Sequence, residues 1–191
     1  MPFPDEPATA HVVAYRQAWA REFEEIAGVL RGVLGAEAVA VDHVGSTAVP
    51  GLAAKDCVDV QVRVRRIDEG AQRRLMAAAG FRWRPEAWNR VERVRGVACP
   101  KAVFAPAVGA RRCNVHVRQY GGPNARFALL FRDYLRGDAA ARAAWGDFKR
   151  RLSRAVPDLA AYGQIKAPAT ELLMTGAESW AERTGWRPPP G

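Results

Sequence analysis

No stretch of the 191 residues approaches the roughly 18 consecutive apolar positions that a membrane-spanning helix needs, so no membrane partner is expected. Cysteine is sparse. Cys57, Cys99 and Cys113 make an odd number and have none of the spacing that marks a zinc site. Such usage fits a reducing cytoplasm. No thiol has a base beside it in the sequence, so none is assigned a catalytic role. The opening Met1-Pro2-Phe3-Pro4-Asp5-Glu6 lacks the basic and then apolar order of an export signal, and the expected location is cytoplasmic. Lysine is scarce beside arginine and alanine. That usage is typical of a GC-rich genome, so arginine abundance alone says little about partners. Internal repeats and low-complexity linkers are missing too.

With 49% apolar residues and charges of both signs, the chain is too hydrophobic to be disordered. Its length allows a buried core in one domain without staples. The expected organisation is an extended, Pro-rich lead-in over 1–10, a single domain over 11–185, and a frayed Pro-rich tail over 186–191. The domain is sheet-rich to about residue 120 and helical after it. The net charge of +9 is unevenly spread. Residues 1–60 carry four basic and nine acidic side chains, residues 61–120 fourteen and four, and residues 121–191 eleven and seven. A central segment this basic points to an anionic partner such as nucleotide phosphate, nucleic acid or an acidic protein. A solvated arginine-rich surface is the bland alternative.

Periodicity sets the elements. Tyr15, Trp19, Phe23, Ile26, Leu30 and Leu34 fall on one helical face, which predicts a helix over 13–34 ended by Gly35. A strand is expected over 38–44. Residues 58–64 alternate strictly: Val58, Val60, Val62 and Val64 share one face, and Asp59, Gln61 and Arg63 share the other. A helix follows over 68–79. Short strands are expected over 81–84, 90–97, 102–104 and 113–118, then helices over 125–136 and 139–156, a helical piece from Pro157-Asp158, and a last helix over 168–184. The fold class is α/β (α+β), with a small mixed sheet first and helices concentrated in the second half.

The run Asp42-His43-Val44-Gly45-Ser46-Thr47-Ala48-Val49-Pro50-Gly51-Leu52-Ala53-Ala54-Lys55 leads into the second strand. A Gly-Ser turn after a strand lets backbone N–H groups and hydroxyls approach a phosphate. A carboxylate on the next strand, Asp59, is placed to hold a divalent cation beside it. Phosphoryl and nucleotidyl transfer use that pairing. Each part alone is commonplace; Gly-Ser-Thr by itself is an ordinary turn.

The run resembles the signature of the GrpB (UPF0157) family. The likeness continues in Asn114-Val115-His116-Val117, in Phe131-Arg132-Asp133-Tyr134-Leu135-Arg136, and in Tyr162 and Lys166, so it covers most of the chain. The resemblance implies a branch of the nucleotidyltransferase superfamily with a polymerase-β-like fold: a small mixed sheet, flanking helices and a helical C-terminal part. The family also occurs fused to dephospho-CoA kinase in some bacteria. Carried over, Gly45 and Ser46 would form the phosphate loop and Asp59 the first carboxylate of an Asp-x-Asp pair. The second falls on Gln61, which brings no charge, and the third would align near Asn114 or His116, neither acidic.

The candidate site follows. Asp59, His43 and His116 are the catalytic candidates, with Asp59 and His116 also the metal candidates, for Mg²⁺ or another divalent ion. Gly45, Ser46, Thr47, Lys55, Gln61, Arg93, Arg132 and Lys166 are the candidates for binding phosphate or another anionic ligand. Lys55 gains weight from the scarcity of lysine. Arg90, Arg93 and Arg95 are read along one strand, where Arg93 and Arg95 would share a face suited to a triphosphate. Tyr162 and Lys166 lie one helical turn apart and could close over a ligand. The favoured function is transfer of a nucleotidyl or phosphoryl group from an NTP to a small-molecule acceptor, with a divalent metal. The alternatives are a non-catalytic nucleotide- or CoA-type binding module, or a different metal-dependent chemistry on the same fold, because Gln61 replaces a carboxylate. Nucleic acid ranks last as a partner, since nothing resembles a reader helix or a stacking-aromatic motif.

Overall fold

A computed structural model describes residues 3–191. Residues 1–2, part of the expected lead-in, lie outside the described residues. In chain order the elements are β1 (Val12–Val13), α1 (Ala18–Leu34), β2 (Ala38–Val44), β3 (Ala54–Lys55), β4 (Val58–Val64), α2 (Glu69–Ala78), β5 (Arg82–Trp83), β6 (Val91–Val94), β7 (Val97–Ala105), β8 (Cys113–Gln119), α3 (Pro123–Gly137), α4 (Ala139–Ala155) and α5 (Leu159–Thr184). The mixed sheet runs β2-β4-β8-β7-β5, with β6 paired to β7. Its central pair, β4 and β8, is parallel; the other pairings are antiparallel. The fold is mixed α/β, as the sequence predicts.

The α1 helix begins five residues later than periodicity suggests. Val12 and Val13 pair instead with Lys55 and Ala54, so Tyr15 precedes the helix. Trp19, Phe23, Ala27, Leu30 and Leu34 make its buried stripe, with Ile26 half-buried. They pack on Val58, Val60, Val62 and Val64 of β4 and on Val115 and Val117 of β8. This is the main core. A second core lies among α3, α4 and α5, around Leu130, Trp145 and Met174. Asp68, Asp138 and Asp158 cap α2, α4 and α5 by accepting backbone N–H groups three residues on, each worth about 1 kcal/mol.

Three expectations are corrected. The strand read over 90–97 is a hairpin: Val94 pairs with Val97, and Arg95 and Gly96 take positive φ of 50° and 81°. Two such residues form the mirror-image turn that suits strand twist. The turn separates Arg95 from the strand that holds Arg93. Second, α5 is continuous through Pro168 rather than two pieces. Third, the tail is docked rather than frayed. Arg63 donates to the carbonyls of Pro189 and Pro190 at 2.9 and 3.0 Å, and the Trp186 indole N–H to Asp133 at 3.1 Å.

The uneven charge of the sequence is largely internal complementarity. Acidic side chains of the first sixty residues meet basic ones of the middle: Asp5 with Arg82, Glu6 with Arg84, Glu22 and Asp56 with Arg111. Glu69 and Glu92 take Arg90 and Arg118. Most of the basic segment is therefore matched within the fold.

Candidate functional site

Alternation along β4 sends Asp59, Gln61 and Arg63 to the face opposite the main core, and parallel pairing sets them beside Asn114, His116 and Arg118 of β8. A two-sided strand of this pattern is expected to leave one face in water. Here α3 and the C-terminal tail cover it: Gln61, bonded to the Ala125 carbonyl, is 0% exposed, and Arg63, bonded to the Pro189 and Pro190 carbonyls, is 3% exposed. Their polar groups are correspondingly satisfied. The Gln61 amide donates to Asp42 and the Ala125 carbonyl, and its oxygen accepts from Arg118 at 3.0 Å. Arg63 forms a bidentate pair with Asp42, at 2.8 and 3.0 Å. Arg118 does the same with Glu92, at 3.0 and 3.2 Å.

Where this face meets the end of β2, a cavity of about 350 Å³ opens. Gly45, Ser46 and Thr47 form one wall, as the turn that leaves β2 and enters a short 3-10 segment over Ser46–Ala48. Gly45 has φ +69°, and a Cβ there would lie 2.5 Å from Asp59 Oδ2. Only glycine lets the turn sit this close to the carboxylate. Asp59 accepts from the Asn114 amide at 3.1 Å and lies 3.9 Å from His116 Nε2. Burial raises the Asp59 pKa, but His116, Asn114 and Lys55 more than offset it and hold the carboxyl at about 2. Burial in turn lowers the pKa of His116, against the pull of Asp59.

Three lysines converge here from separate elements: Lys55 of β3, Lys149 of α4 and Lys166 of α5. Lys149 is 3% exposed and donates to Ser46 Oγ at 2.8 Å and to the Ala53 carbonyl. Burial, then Lys166, Arg150 and Lys55, push its pKa well below the ordinary lysine value, against Asp59. Burial, with Lys55, also lowers Lys166. Lys55 lies 5.6 Å from the centre of the buried Tyr162 ring, one helical turn before Lys166. Phe127 and Phe131 of α3 supply an apolar side. Lys101 and Arg118 already hold Glu92, so three lysine side chains face Asp59.

Of the residues singled out in the sequence, Gly45, Ser46, Thr47, Lys55, Asp59, His116 and Lys166 line this cavity. Four lie elsewhere. His43 pairs with Val60 on the core face, stacks on Phe23 at 4.7 Å and is hydrogen-bonded to Thr47 Oγ1 at 3.0 Å. Burial, with Arg136 and Arg132, lowers its pKa to about 4 against Asp59. Gln61 sits under α3 in the network above. Arg132 donates to the His43 carbonyl and pairs with Asp133, tying α3 to β2. Arg93 is exposed on β6 and bonds the Gly96 carbonyl; its neighbour Glu92 turns to the cavity. Lys149, Asn114 and Arg118 are among the lining residues to which sequence reasoning gave no ligand role. Lysine scarcity was the available signal for Lys149, since three of the four lysines line the cavity.

The donor set does not match the two-metal centre that the superfamily resemblance implies. Two divalent ions need bridging carboxylates; position 61 is an amide committed to three partners, and position 114 is Asn. Among the described residues no group of three or more His, Cys, Asp or Glu is placed to hold a metal ion. Nor is any helix among them long and apolar enough to cross a membrane.

Comparison with known proteins agrees with this architecture. A dephospho-CoA kinase of Mycolicibacterium paratuberculosis is 37% identical over 190 residues, covering 89% of this chain and 46% of that protein. The chain thus spans about half the length of the kinases it matches. A UPF0157 protein of Streptomyces coelicolor is 37% identical over 140 residues, covering 72% of this chain and 67% of that protein. The crystal structure of the conserved protein GrpB from Enterococcus faecalis superposes with a TM-score of 0.74 at 26% identity, over 89% of this chain and 99% of that one. The family model described as GrpB protein matches residues 9–175, and the chain belongs to the GrpB family.

Proposed function

We propose that the chain binds a phosphate-bearing small molecule, of the nucleotide or CoA-precursor class, in the Asp59 cavity. The observation that carries this reading is the convergence of Lys55, Lys149 and Lys166 on the Gly45–Thr47 turn. Three lysines gathered around one carboxylate are costly to keep charged without an anion to compensate them. Phosphate oxygens supply that compensation, and the turn offers backbone and hydroxyl donors beside them. The aromatic side at Phe127 and Phe131 suits a base or another flat apolar moiety. The match to dephospho-CoA kinases supports the ligand class, because those proteins handle a nucleotide-like molecule by name.

Of the two functions expected from the sequence, this geometry favours ligand binding with lysine counter-charges over transfer at a two-metal centre. A single divalent ion accompanying the ligand would find Asp59 and His116 as its two donors from the chain.

The test is thermal unfolding with ATP, ADP, CoA, dephospho-CoA and inorganic phosphate, each with and without Mg²⁺. A ligand at a hundredfold excess over its Kd stabilises by about 2.7 kcal/mol. The expected result is a shift for at least one phosphate-bearing compound that weakens about tenfold in apparent affinity in Lys166→Met, roughly 1.4 kcal/mol. An equal shift in Lys55→Met and Lys166→Met would sink the reading, as would no shift with any of the five.

A further inference from the structure

Ser46 and Lys149 occupy an arrangement that anion binding does not require. Ser46 Oγ is half-buried at the mouth of a glycine turn, and Lys149 Nζ lies 2.8 Å away, reaching it from a helix remote in sequence. Nζ also donates to the Ala53 carbonyl. In the ammonium form it donates to both oxygens. In the amine form one N–H stays on Ala53 and the lone pair faces the Ser46 hydroxyl. An amine held this way is a general base for the alcohol, the arrangement that activates weak serine nucleophiles.

We propose that Ser46 and Lys149 form a nucleophile–base pair, and that Ser46 is a covalent acceptor for a phosphoryl or nucleotidyl group within the cavity. In the step, Ser46 Oγ attacks the phosphorus. The new Oγ–P bond forms as the bond from phosphorus to its leaving oxygen breaks, and that oxygen departs with the electron pair, on a nucleoside diphosphate when an NTP gives up its phosphoryl group or on pyrophosphate when it gives up its nucleotidyl group. The hydroxyl proton passes to Lys149 Nζ. Lys55 and Lys166 neutralise the departing charge, and the group then leaves Ser46 for water or an acceptor alcohol by the reverse proton path. The identity of the transferred group rests on the ligand reading above; the pair itself does not.

The surroundings favour the amine form before ligand arrives. Lys166 and Lys55 face Lys149 from α5 and β3, and Arg150 follows it on α4; Asp59 from β4 is the opposing charge. Burial and the three cations outweigh Asp59, so the amine is available well below the pH at which an ordinary lysine deprotonates. The positive φ of Gly45 aims the turn so that Ser46 begins the 3-10 segment beside Asp59 rather than continuing β2.

The test uses a fluorophosphonate, an electrophilic phosphorus that carries no nucleotide, on the full chain. Attack by Oγ releases fluoride and leaves a stable adduct. One adduct per chain is expected, mapped to Ser46 by peptide mass spectrometry and absent from Ser46→Ala at unchanged melting temperature. Labelling should slow at least tenfold in Lys149→Arg, which supplies a cation but no free amine, and in Lys149→Met. In the unsubstituted chain, whose folding is not in question, the rate should rise with pH to a plateau reached below the ordinary lysine range. An unlabelled Ser46 in the folded chain overturns the pair, and so does a wild-type rate in Lys149→Arg. A rate that keeps rising into the ordinary lysine range does the same. Ligand stabilisation without labelling leaves a passive pocket. Labelling without any ligand stabilisation keeps the pair and removes the phosphate-ligand reading instead.

Discussion

The two faces of β4 are built from the same seven residues, and they do opposite work. Toward α1, Val58, Val60, Val62 and Val64 are fully buried among aliphatic and aromatic side chains. On the other face Gln61 and Arg63 are enclosed almost as well, while Asp59 is half-buried at the cavity, and each polar group is matched by a partner or turned into that opening. The apolar face gains stability in proportion to the area it removes from water. The polar face gains little by comparison, because burying charge costs about what pairing returns. What it provides is a set of fixed charges and donors around one opening. Stability and ligand chemistry are therefore divided across a single strand, one residue apart.

That division breaks most visibly under large-to-small change on the apolar face. Leu30→Ala, at a site with no exposure, should cost about 4 kcal/mol. The ligand-induced thermal shift should survive in the folded fraction. A loss of the ligand shift at temperatures where the variant is still folded would show that the two faces are not separable.

The next effect sharpens the boundary between them. His43 projects to the apolar face, yet its ring bonds Thr47 on the cavity wall. Folded His43 binds its proton near pH 4, whereas the unfolded ring titrates near 6.5. Between those values the unfolded state holds more protons, so stability must fall as pH falls through that window. The loss approaches about 3 kcal/mol by the lower end. His43→Gln should remove most of this dependence, read as urea midpoints at neutral pH and near pH 4. An unchanged pH dependence in the variant would place the titrating group elsewhere.

On the polar face, Gly45→Ala combines a Cβ 2.5 Å from Asp59 Oδ2 with a φ that L-residues rarely adopt. The expected cost is about 2 kcal/mol in stability, the size of other local backbone strains. Ligand affinity should fall further than that penalty explains, because the turn must move off Asp59. Calorimetric titration of the folded variant checks this, and full affinity would mean that the turn is not part of the binding surface.

Much of this was legible along the chain. Strict alternation located β4, and the Gly-Ser-Thr turn before it marked the cavity wall. Seven of the residues named from the sequence line one opening. The register of β2 on β4, which no local pattern gives, separates His43 from Asp59: His43 lies opposite Val60 and shares the valine face. Arg93 lies outside the cavity because strand parity turns Glu92 toward it, and the hairpin turn at Arg95 and Gly96 ends the strand before Arg95 can share a face with Arg93. The positive middle segment suggested an external anion, but much of that charge meets acidic residues from the first sixty positions, a pairing no local pattern reveals.

Local sequence determined where strands and helices form, which side of each is apolar, and where glycine must bend the chain, because those depend on periodicity and on backbone sterics within a few residues. Tertiary structure decided what lies over the polar face of the sheet. It set α3 on Gln61 and the C-terminal tail on Arg63, converting an apparent solvent face into a sealed network. It also carried Lys149 to Ser46 across a separation of 103 residues. Both results depend on how helices pack against the sheet, a property of surfaces brought together by folding rather than of neighbours along the chain.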